Sequence, residues 1–155
     1  MSFQICALRR EDFTPFFELD DSRLQKLGAK RYITDRYPGF PCRVSLEDAA
    51  PGERVVLVPF AHQPAESPYR ASGPIFVREA ARQASPGVNE VPGVLRSRLL
   101  SLRAYDGDAL MIDADVVDGR ALEPAVERLF ADRHVDYLHV HFARPGCFAC
   151  RIDRA

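Results

Sequence analysis

The sequence predicts a single α+β domain, a largely antiparallel sheet with two or three helices packed on one face. Three observations predict it. About six to eight short apolar or alternating segments are joined mostly by turn residues, which favours antiparallel pairing. Only the stretch after Asp118 carries a clean helical stripe. A chain of 155 residues, 46% hydrophobic and 28% charged, suits one globular core.

In chain order, Phe3 to Leu8 alternates and reads as an opening strand. Asp12 to Gly28 reads as two helical pieces, with Asp12-Phe13-Thr14-Pro15 as a capped start and Gly28 as a stop. Lys30 to Asp35 is a short strand, followed by the turn-rich Tyr37-Pro38-Gly39-Phe40-Pro41. The run Val55-Val56-Leu57-Val58-Pro59-Phe60 lacks alternation and predicts a strand buried on both faces. Ala61 to Pro74 then reads as an unusually long loop, and such loops are commonly functional. Ile75-Phe76-Val77 is a strand and Ser85 to Gly93 a second loop. Leu99 to Tyr105 and Ala109 to Val117 predict a hairpin around Asp106-Gly107-Asp108. Leu122, Val126, Leu129 and Phe130 recur at i, i+4, i+7 and i+8 of a helix, with Pro124 in its first turn. Tyr137 to Phe142 and Phe148 to Asp153 form a closing hairpin over Arg144-Pro145-Gly146.

Composition excludes several classes of function. With 21 basic and 22 acidic residues and a formal charge of −1, general electrostatic binding of nucleic acid is not expected. No apolar run reaches the 18 residues of a membrane span, so no membrane partner is expected. The N-terminus has no basic region followed by an apolar stretch, so no signal peptide is read and a cytoplasmic location is expected. Cys6, Cys42, Cys147 and Cys150 are then expected as thiols. Cys147-Phe148-Ala149-Cys150 has C-x-x-C spacing, but on a strand positions i and i+3 face opposite sides, which disfavours a redox pair or zinc knuckle.

Strand parity locates a candidate site. In the last hairpin Leu138, Val140 and Phe142 point one way, and Tyr137, His139 and His141 the other. Matching apolar sets across the turn groups Phe148, Cys150 and Ile152 with the core and Cys147, Ala149 and Arg151 with the histidines. The earlier hairpin is expected to set Leu100, Leu102 and Ala104 against Leu110, Ile112, Ala114 and Val116. Its other face then gathers Arg103 with Asp113 and Asp115. Two histidines at i and i+2 can reach one transition metal, with Asp or Cys completing the set. Without metal, the same pair suits acid–base work. The competing reading is a solvated sheet face of no chemical consequence. In the long loop, Tyr69, Arg70 and Ser72 could hold a small anion, Arg70 by bidentate hydrogen bonds. The alternative is a loop that merely satisfies its own polar groups. Asp113 to Asp118 superficially resembles a calcium loop but lacks its glycine and its closing glutamate, and is read as strand plus helix cap.

The stretches Pro38-Gly39-Phe40-Pro41-Cys42-Arg43, His62-Gln63-Pro64-Ala65, Ser67-Pro68-Tyr69-Arg70-Ala71-Ser72, Leu95-Arg96-Ser97-Arg98, Asp113-Ala114-Asp115 and Tyr137-Leu138-His139-Val140-His141 can be taken together. In them the chain resembles a bacterial family known only as domain of unknown function 1203. The resemblance implies a small stand-alone protein, with no activity, substrate or cofactor attached. It also implies departures at Gly73 and Phe142, where the family pattern is more polar. The residues themselves supply two readings. One is an enzyme or binder of a small anionic molecule, with His139, His141 and Cys147 catalytic or His139 and His141 as metal ligands. In it Arg70 clamps the anion, Tyr69 and His62 close the pocket, Ser72 and Arg103 add ligand contacts, and Asp113 or Asp115 orients a histidine. The other is a non-catalytic homodimer using Tyr105, Met111, Tyr137 and Phe142 as interface residues.

Overall fold

The computed structural model describes residues 1–155. Its strands divide into two antiparallel sheets. The larger holds β1 (Phe3–Cys6), β5 (Leu99–Tyr105), β6 (Met111–Asp118), β7 (Tyr137–Phe142) and β8 (Phe148–Arg154), in the order β1-β8-β7-β5-β6. The smaller holds β2 (Lys30–Ile33), β3 (Arg54–Gln63) and β4 (Ala71–Arg78), with β3 in the middle. Four short helices complete the α+β domain: α1 (Thr14–Phe17), α2 (Asp21–Lys26), α3 (Gly93–Arg96) and α4 (Leu122–Phe130).

The stripe of α4 is buried as its spacing requires. Leu122, Val126, Leu129 and Phe130 pack with α3 residues Val94 and Leu95 on Leu100, Leu102, Leu138, Val140 and Ile152 of the large sheet. The Asp118 carboxylate caps the turn leading into α4 by accepting from the backbone N–H of Arg120. A second core joins Phe13 and Leu24 of the N-terminal helical segment to Val56 and Val58 of β3, Ile75 and Val77 of β4, and Phe148 of β8. The small sheet therefore lies against the histidine-bearing side of the large one. That face is not solvated: Tyr137, His139 and His141 are all buried.

Three register shifts decide where side chains point. In the β5–β6 hairpin Tyr105 opposes Met111 but Ala104 opposes Asp113, so Ile112 is bulged out. One extra residue inverts the face of everything beyond it. Asp113 and Asp115 consequently sit opposite Ala104 and Leu102, toward α4, where Arg128 contacts both carboxylates. The expected facing of Ile112, Ala114 and Val116 against Leu100, Leu102 and Ala104 is thereby overturned. Ile112 and Val116 are instead exposed, at 42% and 58%.

In the β7–β8 hairpin Val140 opposes Cys150 and His141 opposes Phe148, leaving Ala149 as the extra residue. Cys150 and Ile152 enter the helix-side core as expected, and Arg151 opposes His139. Phe148 departs from the expected set and turns to the histidine face. The third shift lies in β3–β4, between Phe60 and Gln63, and brackets His62.

The long loop is shorter than expected. β3 runs on to Gln63 and β4 begins at Ala71, which leaves residues 64–70 between them. Two prolines concealed this pairing. Pro59 lies beyond Leu57, the last β3 residue paired with β2, and Pro74 lies on an edge strand, where a missing N–H is tolerated.

Candidate metal centre

The site is assembled from two sheets. β7 presents His139 and His141 by its two-residue period, and β3 brings His62 to them at its register shift. The His62 ring centroid lies 4.9 Å from that of His141 and 6.2 Å from that of His139, while His139 and His141 are 6.4 Å apart. One ligating nitrogen from each of the three lies within 4.8 Å of the other two.

Aromatic side chains wall the cluster. Phe148 stacks on His62 at 5.7 Å and nearly parallel, and meets His139 edge-on at 5.2 Å. Tyr105 and Tyr137 approach His139 at 5.0 and 5.2 Å. The Tyr137 hydroxyl accepts a hydrogen bond from Gln63 Nε2 at 2.9 Å.

Hydrogen bonding distinguishes the ring nitrogens. His141 Nδ1 lies 3.0 Å from the Gly146 carbonyl oxygen. A carbonyl can only accept, so Nδ1 carries the proton and Nε2 keeps its lone pair. Gly146 adopts φ +81°, a conformation that favours glycine and presents this carbonyl to the ring. His62 Nδ1, His139 Nδ1 and His141 Nε2 are buried with no partner. Such orphaned atoms are uncommon and costly.

Burial holds these imidazoles neutral. His139 is pushed down to about 3, first by loss of solvent and then by the neighbouring His141 and His62. His141 falls to about 4, again mainly through burial, against a raising contribution from the Gly146 carbonyl. His62 is lowered by burial and by the charge of Arg103. Neutral imidazole is the form that binds a metal ion. A group titrating this far below neutrality is a weak general base and is not a proton donor at pH 7.

His62 and His141 line a cavity of about 330 Å³ together with Ser72, Gly73, Arg103, Cys147 and Phe148. Of the residues singled out from sequence, it therefore gathers His62, Ser72, Arg103, His141 and Cys147, with His139 beside it. Tyr69 stands one ring further out, 6.0 Å from Tyr105. Arg70 is exposed in the 64–70 connection and lines neither this cavity nor the larger one beside it. Asp113 and Asp115 lie on the opposite face with Arg128 and do not reach the histidines. Tyr105, Tyr137 and Phe142, expected at a subunit interface, are buried within the chain.

One central residue was missed in the sequence. Arg43 is 1% exposed, and its guanidinium donates to the Phe148 carbonyl at 2.7 Å, the Pro41 carbonyl at 2.6 Å and Cys147 Sγ at 2.9 Å. It ties the turn beside the Ala149 bulge to the segment before β3. The available signal was an arginine set in the apolar run Phe40-Pro41-Cys42-Arg43-Val44.

No curated protein and no solved structure matches this chain. A family model described as "Protein of unknown function (DUF1203)" matches residues 39–154, a span containing His62, His139, His141 and Arg43. With three quarters of its length inside that match, the chain belongs to this family.

Proposed function

We propose that this protein is a small-molecule enzyme or binding protein whose working centre is one transition-metal ion held by His62, His139 and His141. The observation that carries the reading is the convergence of three neutral imidazoles from two sheets, each with a buried ring nitrogen left unbonded. Three protein ligands leave a further coordination position for water or substrate. When bound, the ion would act as a Lewis acid and acidify a coordinated water.

The chain's own residues do the rest. The Gly146 carbonyl fixes the His141 tautomer, the arrangement by which metal-binding histidines are oriented. Phe148, Tyr105 and Tyr137 exclude water from one side, while the cavity beside His62 and His141 leaves an approach from the other. Tetrahedral zinc at 2.0–2.1 Å separates its ligand nitrogens by about 3.3 Å. The three rings, with ligand atoms up to 4.8 Å apart, would have to close slightly to hold such an ion.

Elemental analysis of protein purified without affinity tag or chelator tests the reading. Near-stoichiometric zinc, iron or manganese is expected, and it should vanish in a His139→Ala/His141→Ala double variant and in His62→Ala. A folded wild-type protein that carries no metal and takes up neither zinc nor cobalt when supplied would overturn it.

A further inference from the structure

A second, larger cavity of about 680 Å³ adjoins the histidine cavity and shares Arg43, Phe76, Pro145 and Cys147 with it. Four guanidiniums line it, from Arg36, Arg43, Arg98 and Arg144, and no carboxylate residue does. This is not the general character of the chain, whose formal charge is −1.

Two of these charges are balanced nearby. Arg98 makes a double contact with Asp48, at 2.8 and 2.6 Å, and Arg36 meets Asp35 at 3.4 Å. The other two are not. Arg144 is exposed on the β7–β8 turn and forms no ion pair. Arg43 is fully buried, yet its partners are two carbonyls and a thiol sulfur, none of them a carboxylate. A buried guanidinium without a carboxylate is costly, and an anion brought from outside would offset that cost. Arg43 and Arg98 both lie over the Phe142 ring, at 4.9 and 5.1 Å, which holds their planar groups in place beside the cavity. Planar, restrained guanidiniums suit two-point binding of an oxyanion. The volume is that of an ordinary small-molecule site.

We propose that this cavity recognises the acid group of a small organic molecule, a carboxylate or a phosphate monoester. The anion site stands on its arginines alone. Only the placement of the remaining part of the molecule, extending past Cys147 toward His141, rests on the metal-centre reading.

The test is a two-dimensional amide NMR titration of the metal-depleted full-length chain with inorganic phosphate and, separately, with benzoate. Saturable shifts are expected at Ser97, Arg98, Arg144, Gly146 and Cys147, and the tighter-binding probe identifies the acid group. Arg144→Gln should weaken that binding about tenfold, whereas Arg133→Gln, on the exposed stretch after α4, should not change it. Three results would overturn the proposal: no saturable shift with either anion, equal weakening in both variants, or binding that appears only after metal is restored. The last would assign the acid group to the ion rather than to the arginines. Since the titration is run without metal, failure of the metal centre leaves its outcome readable.

Discussion

On one face of the large sheet Leu102, Leu138, Val140 and Ile152 meet α4. On the other, Tyr137, His139 and His141, neighbours of Leu138 and Val140 along the same strand, are buried on the side of the small sheet, where His62 meets the two histidines. Both faces exclude water, but only the first does so with groups that lose nothing by it. Burial of Leu102 or Val140 contributes directly to stability. Burial of His139 and His141 strips water from nitrogens that gain no partner, at a cost of roughly 1–3 kcal/mol for each orphaned atom. Replacing buried polar groups by apolar ones of similar volume is neutral or stabilising in general, so stability does not account for these histidines. These local rules, broken without compensation inside the chain, are the observation on which the proposed metal centre rests.

The sharpest way to break this comparison is to exchange residues on the two faces. Leu102→Ala should cost about 2–5 kcal/mol in urea denaturation, because it removes buried methyls from a closed core. His139→Leu, nearly conserving volume, should change stability by less than about 1.5 kcal/mol while abolishing metal uptake. Comparable losses in both variants would show that His139 is structural.

Lowering the pH should separate the faces next. In the folded protein His139 and His141 protonate only near 3 and 4, whereas in the unfolded chain they protonate near 6.5. The unfolded state thus binds more protons between those values. The stability linked to these groups is fully present above about pH 6.5 and is lost as pH falls toward 4 and then 3. The slope is at most about 1.4 kcal/mol per pH unit for each histidine. Urea midpoints of the metal-free protein at pH 7.5 and 4.5 should differ by clearly more than those of a His139→Leu/His141→Leu variant. Equal differences would mean that the rings titrate in the fold as they do in the unfolded chain.

The smallest effect is expected at Asp115. Its pairing with Arg128 is partly exposed, so Asp115→Ala should cost no more than about 1 kcal/mol and leave metal content unchanged. Loss of metal in that variant would place the aspartate at the histidines and contradict the β5–β6 register.

Periodicity shows through wherever the backbone is regular. The face shared by Tyr137, His139 and His141 and the stripe of α4 follow from counting residues, because side-chain direction repeats every 2 or 3.6 positions. The same counting fails at Ile112 and Ala149, where a single bulged residue inverts parity. One inversion carries Asp113 and Asp115 away from the site, and the other carries Phe148 into it. Neither bulge has a glycine or proline to announce it. His62 was singled out within a supposed loop, yet its place beside His139 and His141 depends on β3 of the small sheet lying against β7 of the large one. Arg43 escaped notice because its partners lie 104 and 105 residues away.

By itself the sequence determined an α+β domain, its strands and hairpins, its capped amphipathic helix and a strand carrying two adjacent histidines on one face. Those features are local, set by propensity and period within about ten residues. Only the tertiary structure decided that a second sheet covers that face, that a third histidine completes the cluster, and that a buried arginine stands beside it. The reason is physical. Desolvation and the lack of hydrogen-bond partners are properties of a packed interface, and both halves of that interface must be in place before either exists.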